Sequence, residues 1–152
     1  MREIRRWARL TAYCLLVALQ PLLAGCETPP PEAALREAVA ALESGLENGD
    51  TGAVMDRLAE DFRYRDLDRK AAGRRLVGVF RRYPRGQGNF LNVQVSLDPV
   101  TLRDAEVTFN ALVWGGRATL PEDADSVRVR SRWREDGGDW VLVDLEARGL
   151  SE

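Results

Sequence analysis

From Glu32 onward the chain shows one hydrophobic period and then another. In "EAALREAVAALESGLEN", Leu35, Val39, Leu42 and Leu46 recur at helical spacing and Ala38 fills the stripe, which predicts a helix ended by Gly49. Asp50 is placed to cap a second, shorter helix, "TGAVMDRLAED", with Val54, Met55, Leu58 and Ala59 as its apolar positions. "FRYRD" alternates Phe62, Tyr64 and Asp66 against Arg63 and Arg65, as a short strand does. Asp68 caps a third helix through "RKAAGRRLVGVFRRY", which buries Leu76, Val79 or Phe80, and Tyr83, until Pro84 stops it.

After "PRGQGN" the period becomes two. Leu91, Val93, Val95 and Leu97 alternate with polar partners. So do Ala105, Val107, Phe109, Ala111 and Val113, then Val127, Val129, Ser131 and Trp133, then Val141, Val143, Leu145 and Ala147. Four antiparallel strands with one oily face follow. About three helices first and a one-sided, mostly antiparallel sheet afterwards make an α+β domain.

The register of the last hairpin depends on its loop. A two-residue turn at Gly137-Gly138 sets Val143 opposite Arg132 and mixes the faces. A three-residue loop, Asp136-Gly137-Gly138, pairs Val129 with Leu145 and Ser131 with Val143, and keeps the oily face whole. That second register is the one expected. It places Arg130 opposite Asp144 and Arg128 opposite Glu146.

The first 25 residues have a different pattern. "MREIRRWAR" is basic, and "LTAYCLLVALQPLLAG" is an apolar run with a small-residue exit, which is the layout of an export signal. The run is short and broken by Pro21, whereas a membrane-spanning helix wants about 20 apolar residues. Leu23-Ala24-Gly25-Cys26 resembles the lipobox of bacterial lipoproteins. That resemblance implies diacylglycerol on the Cys26 thiol, cleavage just before it and acylation of the new amine. Each buried methylene contributes ~0.8 kcal/mol, so two or three chains hold a protein on a bilayer where one alone is marginal. The expected organisation is therefore a signal peptide at 1–25, a lipidated and proline-rich tether at 26–32, and a domain at 33–148. At ~3.1 Å per residue the tether "ETPPPE" reaches only about 20 Å, so the domain rides close to the membrane.

Cleavage changes the composition. Without Arg2, Arg5, Arg6, Arg9 and Glu3, the 22 basic and 24 acidic side chains become 18 and 23, a net charge of −5 that argues against nucleic acid as a partner. Cys14 leaves with the signal and Cys26 is the lipid site, so the domain relies on its core and not on disulfides. The chain has no histidine, which removes Ser-His-Asp triads, His–Asp pairs and imidazole metal sites. Glu122, Asp123 and Asp125 crowd "PEDADS" but lack the glycine and distal glutamate of a calcium loop, so no metal or other cofactor is expected.

The order of these elements, above all "ENGDTGAVMDRLAEDFRYRD" followed by "AGRRL" and a sheet ending "DWVLVD", resembles the nuclear transport factor 2-like superfamily over roughly Glu32 to Ala147. The resemblance implies a curved sheet wrapped around the long helix to leave a cone-shaped pocket. It is nearly silent on activity, because relatives include ketosteroid isomerase, polyketide cyclases, dehydratases and non-catalytic binding or assembly modules. Asp66 falls where ketosteroid isomerase carries its general-base aspartate, and a carboxylate facing the cone can abstract a proton beside a carbonyl. The oxyanion donors of that family correspond to about Leu42 and Val129, neither of which can donate from its side chain. Arg69 and Lys70 are close enough in sequence to pair with Asp66 as a turn residue instead.

The expected pocket walls are Phe62, Tyr64, Asp66, Phe109 and Trp133. Trp114 has the wrong parity for the core and is either an exposed contact or edge packing. Arg128, Arg130, Arg132 and Arg134 form a comb on one strand face, to meet acidic headgroups or simply to pair with acids across the hairpin. The expected function is non-catalytic: a lipoprotein facing the periplasm, favouring the outer membrane, that binds a small apolar ligand or an envelope protein. The alternatives are a cofactor-free isomerase or cyclase using Asp66, and an assembly module that forms a homodimer.

Overall fold

Pro31 starts the first helix, α1 (Pro31–Glu47), because its fixed φ suits the first helical position and its missing N–H would have no partner there. The stripe expected from spacing is the buried one: Leu35, Ala38, Val39 and Leu42. Gly49 turns left-handed at φ 65° and lets Asp50 N–H reach the Gly45 carbonyl at 2.9 Å. Asp50 then caps α2 (Thr51–Asp56) by accepting from Ala53 N–H at 3.0 Å.

The computed structural model describes residues 29–83, 89–114 and 124–149. The signal segment, Cys26 and the start of the tether lie outside the described residues, as do Glu122 and Asp123 and the side chains of Asp125 and Trp114.

The helix expected through Asp61 ends at Asp56, and Leu58 and Ala59 belong to a strand, β1 (Leu58–Tyr64). Arg69 makes the early switch possible. Its guanidinium donates to the carbonyls of Met55 at 2.9 Å and Leu58 at 3.1 Å, satisfying groups left over where helix gives way to strand. Arg65 (φ 54°) and Asp66 form a tight turn into β2 (Leu67–Asp68), and Asp68 caps α3 (Arg69–Arg82) through Ala71 N–H at 2.7 Å.

Four long strands complete the fold: β3 (Asn89–Leu97), β4 (Asp104–Trp114), β5 (Ala124–Asp136) and β6 (Asp139–Gly149). All six strands join one sheet in the order β2-β1-β6-β5-β4-β3, antiparallel except where β1 runs parallel to β6. The helices cover one face of this curved, open sheet. The core between them joins Leu35, Val39 and Phe62 to Val107, Val129, Trp133, Trp140 and Leu142.

Three strands depart from simple alternation; in β1 the pairing with β6 shifts between Leu58 and Arg63, and Leu58 and Ala59 are both buried. In β3 the pairing with β4 shifts by one residue between Leu91 and Gln94, where Asn92 has φ 55°. Phe90 therefore takes the inward place opposite Ala111, and Leu91, expected inside, is 43% exposed. The last hairpin corrects the expected register in the same way. Gly137 (φ 64°) and Gly138 (φ 97°) do form the two-residue turn, with Asp136 opposite Asp139 and Trp133 opposite Leu142. One extra residue, Val143, is then taken up in a bulge, after which Arg132 faces Asp144 and Ser131 faces Leu145. The bulge restores the inner face that the longer loop was meant to protect. It also makes Trp140 and Leu142, not Val141 and Val143, the buried residues at the start of β6.

Because Gly138 is left-handed and nothing lies within 4 Å of where its Cβ would be, Gly138→Ala tests conformation without a clash. It is expected to cost about 1–2 kcal/mol in chemical denaturation with an unchanged m-value.

Candidate functional site

Between α1, α3 and the inner face of the sheet lies a cavity of about 360 Å³. Helix α1 supplies Leu42 and Leu46, α3 supplies Ala72, Leu76 and Val79, and the strands supply Phe62, Phe90, Phe109, Val129 and Leu142. Phe90 stacks on Phe109 with ring centroids 4.0 Å apart and planes at 24°, forming one aromatic wall. Phe90 was not foreseen as a wall. Its signal is hidden by the β3 bulge, which swaps it with Leu91.

The sequence-based candidates divide. Phe62, Tyr64 and Phe109 line the cavity. Trp133 does not; it is 1% exposed and packed in the core. Its indole N–H donates to Ser131 Oγ at 3.0 Å, and that hydroxyl donates to the Val107 carbonyl at 2.8 Å. Ser131, 2% exposed, is thus a buried polar residue whose hydrogen is already used.

Asp66 is also placed elsewhere than expected. It is exposed in the turn after β1 and is not among the residues lining the cavity. The two-residue turn is the physical reason, since the chain reverses before Asp66 can face inward. Arg69 does not pair with it, being held by Met55, Leu58 and, at 3.5 Å, Glu60. Leu42 and Val129, the counterparts of the oxyanion donors, both line the cavity and are apolar.

Among the described residues, three polar side chains line the cavity: Tyr64, Arg75 and Ser131. None is a carboxylate or a thiol. Among the described residues no group of three or more His, Cys, Asp or Glu side chains comes together to hold a metal ion. No helix among them is long and apolar enough to cross a membrane.

The outer sheet face is chemically the opposite. Arg130 lies 3.5 Å from Glu106, Arg132 forms a two-pronged ion pair with Asp144, and Arg134 pairs with Asp61 at 2.9 Å. The two-residue turn and the bulge together move these pairings two residues along the strand from those expected: Arg130 now faces Glu146, and Arg128 faces Arg148. The Arg134 guanidinium holds the Asp61 carboxyl below its ordinary value of 3.8. A lowered folded-state value means the pair's contribution is complete above about pH 4 and is lost as pH falls through the folded value. Both side chains are well exposed, so screening limits the contribution to about 0–1 kcal/mol. Asp61→Asn is therefore expected to be less stable than wild type by that amount at pH 6, with the gap closing towards pH 3 in parallel urea titrations.

Among the described residues, three helices on a curved six-stranded sheet, with an apolar hollow between them, form the nuclear transport factor 2-like fold, an α+β cone. Solved structures that share it include Bd1075 of Bdellovibrio bacteriovorus, with TM-score 0.67 and 12% identity over 78% of this chain and 40% of that one. This chain thus spans less than half the length of that protein. An NTF2-like protein of unknown function from Pseudomonas putida KT2440 gives TM-score 0.64 and 13% identity, covering 76% of this chain and 84% of that one. An NTF2-like protein with a cystatin-like fold from Novosphingobium aromaticivorans gives TM-score 0.63 and 15% identity over 95% and 90%. At such identities the likeness is one of fold. No protein-family model and no curated protein sequence matches the chain.

Proposed function

We propose that this chain is an envelope lipoprotein, anchored through lipidated Cys26 and facing the periplasm, whose cone binds a small apolar ligand without transforming it. The observation that carries the binding half is the cavity: about 360 Å³ walled by leucine, valine, alanine and phenylalanine, within the range of small-molecule sites. Such walls hold a ligand by its apolar surface at ~25 cal/mol per Å² removed from water, and among the described residues they carry no carboxylate, imidazole or thiol for proton transfer. Proton abstraction by Asp66, the enzymatic alternative, gets no support from its exposed turn position. Homodimerisation through the outer face gains none from the ion pairs that cover its described part. The anchoring half rests on the sequence: Leu23-Ala24-Gly25-Cys26 after a basic, apolar leader. Outer-membrane residence is the favoured destination, with Glu27 in place of the aspartate known as an inner-membrane retention signal.

One preparation tests both halves. Cells grown with labelled palmitate are expected to yield labelled protein in the membrane fraction, and Cys26→Ala is expected to lose all label and to keep its uncleaved leader, which intact-mass measurement reads. Mass spectrometry of the native lipidated chain is expected to find a co-purified apolar small molecule. An unlabelled wild type would sink the anchor. A co-purified protein with no small molecule would replace the ligand with a partner.

A further inference from the structure

The cavity has a polar rim as well as apolar walls, and the rim has a sign. Of its three polar side chains, Ser131 has its hydroxyl hydrogen committed to Val107 and accepts from Trp133. Tyr64 and Arg75 are left. Arg75 is exposed and has no hydrogen bond or ion pair with any described residue, and the Tyr64 hydroxyl has no hydrogen-bond partner among them. Among the described residues no carboxylate lines the cavity beside Arg75. Helix α3, which carries Arg75, also carries Arg69, Lys70, Arg74, Arg81 and Arg82 and has no acidic residue from Arg69 to Arg82. Arg69 is the one held inward, by Met55 and Leu58. Arg75 is therefore the one charged side chain among the described residues that line the cavity, on a chain whose formal net charge is −2.

An apolar hollow beside an unpaired guanidinium and an unpaired phenol matches a particular ligand shape. We infer that the cone takes an amphiphile, with its hydrocarbon part among the phenylalanines and a single anionic head, carboxylate or phosphate, at the rim with Arg75 and Tyr64. This rests on the reading of the cone as a ligand site. The guanidinium presents a rigid fork of donors that matches either anion, and the phenol adds one neutral donor. Because Arg75 is solvated when the site is empty, the head binds at the rim and not in the depth. Its contribution is then a preference of about tenfold over a neutral head, in line with a hydrogen bond to a charged group.

The test uses the full chain carrying Cys26→Ala, so that no acyl group of its own competes for the cone, and isothermal titration with decanoate, decyl phosphate and decanol. At least one anion is expected to bind about tenfold more tightly than decanol, and whichever binds tighter identifies the head. Arg75→Gln is expected to remove that preference while leaving decanol binding unchanged, which also shows that the variant is folded. Arg82→Gln, on the same helix but away from the cavity lining, is expected to keep the preference. If decanol binds as tightly as both anions, or if Arg82→Gln removes the preference as fully as Arg75→Gln, the headgroup inference is overturned while the apolar cone stands. If none of the three binds, the reading of the cone as a ligand site fails with it.

Discussion

Trp133→Ala is expected to lower the unfolding free energy by about 3–5 kcal/mol, the range for emptying a large aromatic from a packed core. For a domain of this size that corresponds to roughly 10–20 °C in melting temperature. Trp133 is 1% exposed, lies opposite Leu142 on one neighbouring strand and Ala105 on the other, and sits where the helices cover the sheet. Natural domains hold only about 5–15 kcal/mol in reserve, so the variant should also be poorly recovered from cells. A companion substitution separates packing from hydrogen bonding. Ser131→Ala removes little volume but strands the Trp133 indole N–H, which has no other hydrogen-bond partner among the described residues, at about 1–3 kcal/mol. Trp133→Ala leaves the Ser131 hydroxyl still donating to Val107, so its loss is almost wholly one of packing. Equilibrium urea unfolding of both variants checks the order. A Trp133→Ala protein within 1 kcal/mol of wild type would show that the core is centred elsewhere.

The same residue shows what periodicity can and cannot reveal. Counting by twos put Val127, Val129, Ser131 and Trp133 on one face, and the pairing keeps them there, because β5 is unbroken from end to end. Helix α1 was legible for the same reason: its stripe is continuous and a glycine with positive φ closes it. The strands on either side of the β4–β5 pair were legible only as far as their bulges. One added residue in β3 and one in β6 exchange the inner and outer sets, so Leu91 and Val143 lost their expected places while Phe90 and Leu142 gained them. A bulge carries no hydrophobic signature of its own, and only cross-strand pairing reveals it. The boundary near Leu58 was illegible for another reason. Leu58 and Ala59 suit a helix stripe as well as a strand, and the residue that decides between them, Arg69, acts from eleven positions downstream. Of the candidate site, the aromatics Phe62, Tyr64 and Phe109 were readable because Phe62 and Tyr64 lie two residues apart at the end of β1 and Phe109 lies on the inner parity of the β4–β5 pairing. Arg75 was not, since one arginine among five on a helix looks like its neighbours until the cavity beside it is seen.

These bulges also bear on the proposed function. Each increases local twist and bends its strand, as a curved sheet around a hollow requires. A hollow is costly for a small domain, because the atoms lining it lose contacts that a packed core would supply. Filling it should therefore leave stability intact or raise it while removing the ability to bind, the trade-off expected of a binding cavity.

Ala111→Phe puts that to the test. Ala111 is buried on β4 opposite both Phe90 and Val127, and its side chain borders the cavity. A phenyl ring there has a hollow of about 360 Å³ to enter. Burying the ring contributes about 1.5–3 kcal/mol, and crowding against Phe90 and Phe109 takes back about 1–3, so the melting temperature is expected to move by only a few degrees. Decanol and decanoate uptake are both expected to fall at least a hundredfold, since the ring occupies the place of the chain whatever the head. Asn110→Ala, one residue away on the outer face, should change neither quantity. Two measurements on each variant, thermal unfolding and isothermal titration, decide the matter. A folded Ala111→Phe protein that binds as wild type does would mean that ligands sit elsewhere and that the hollow is only a packing defect.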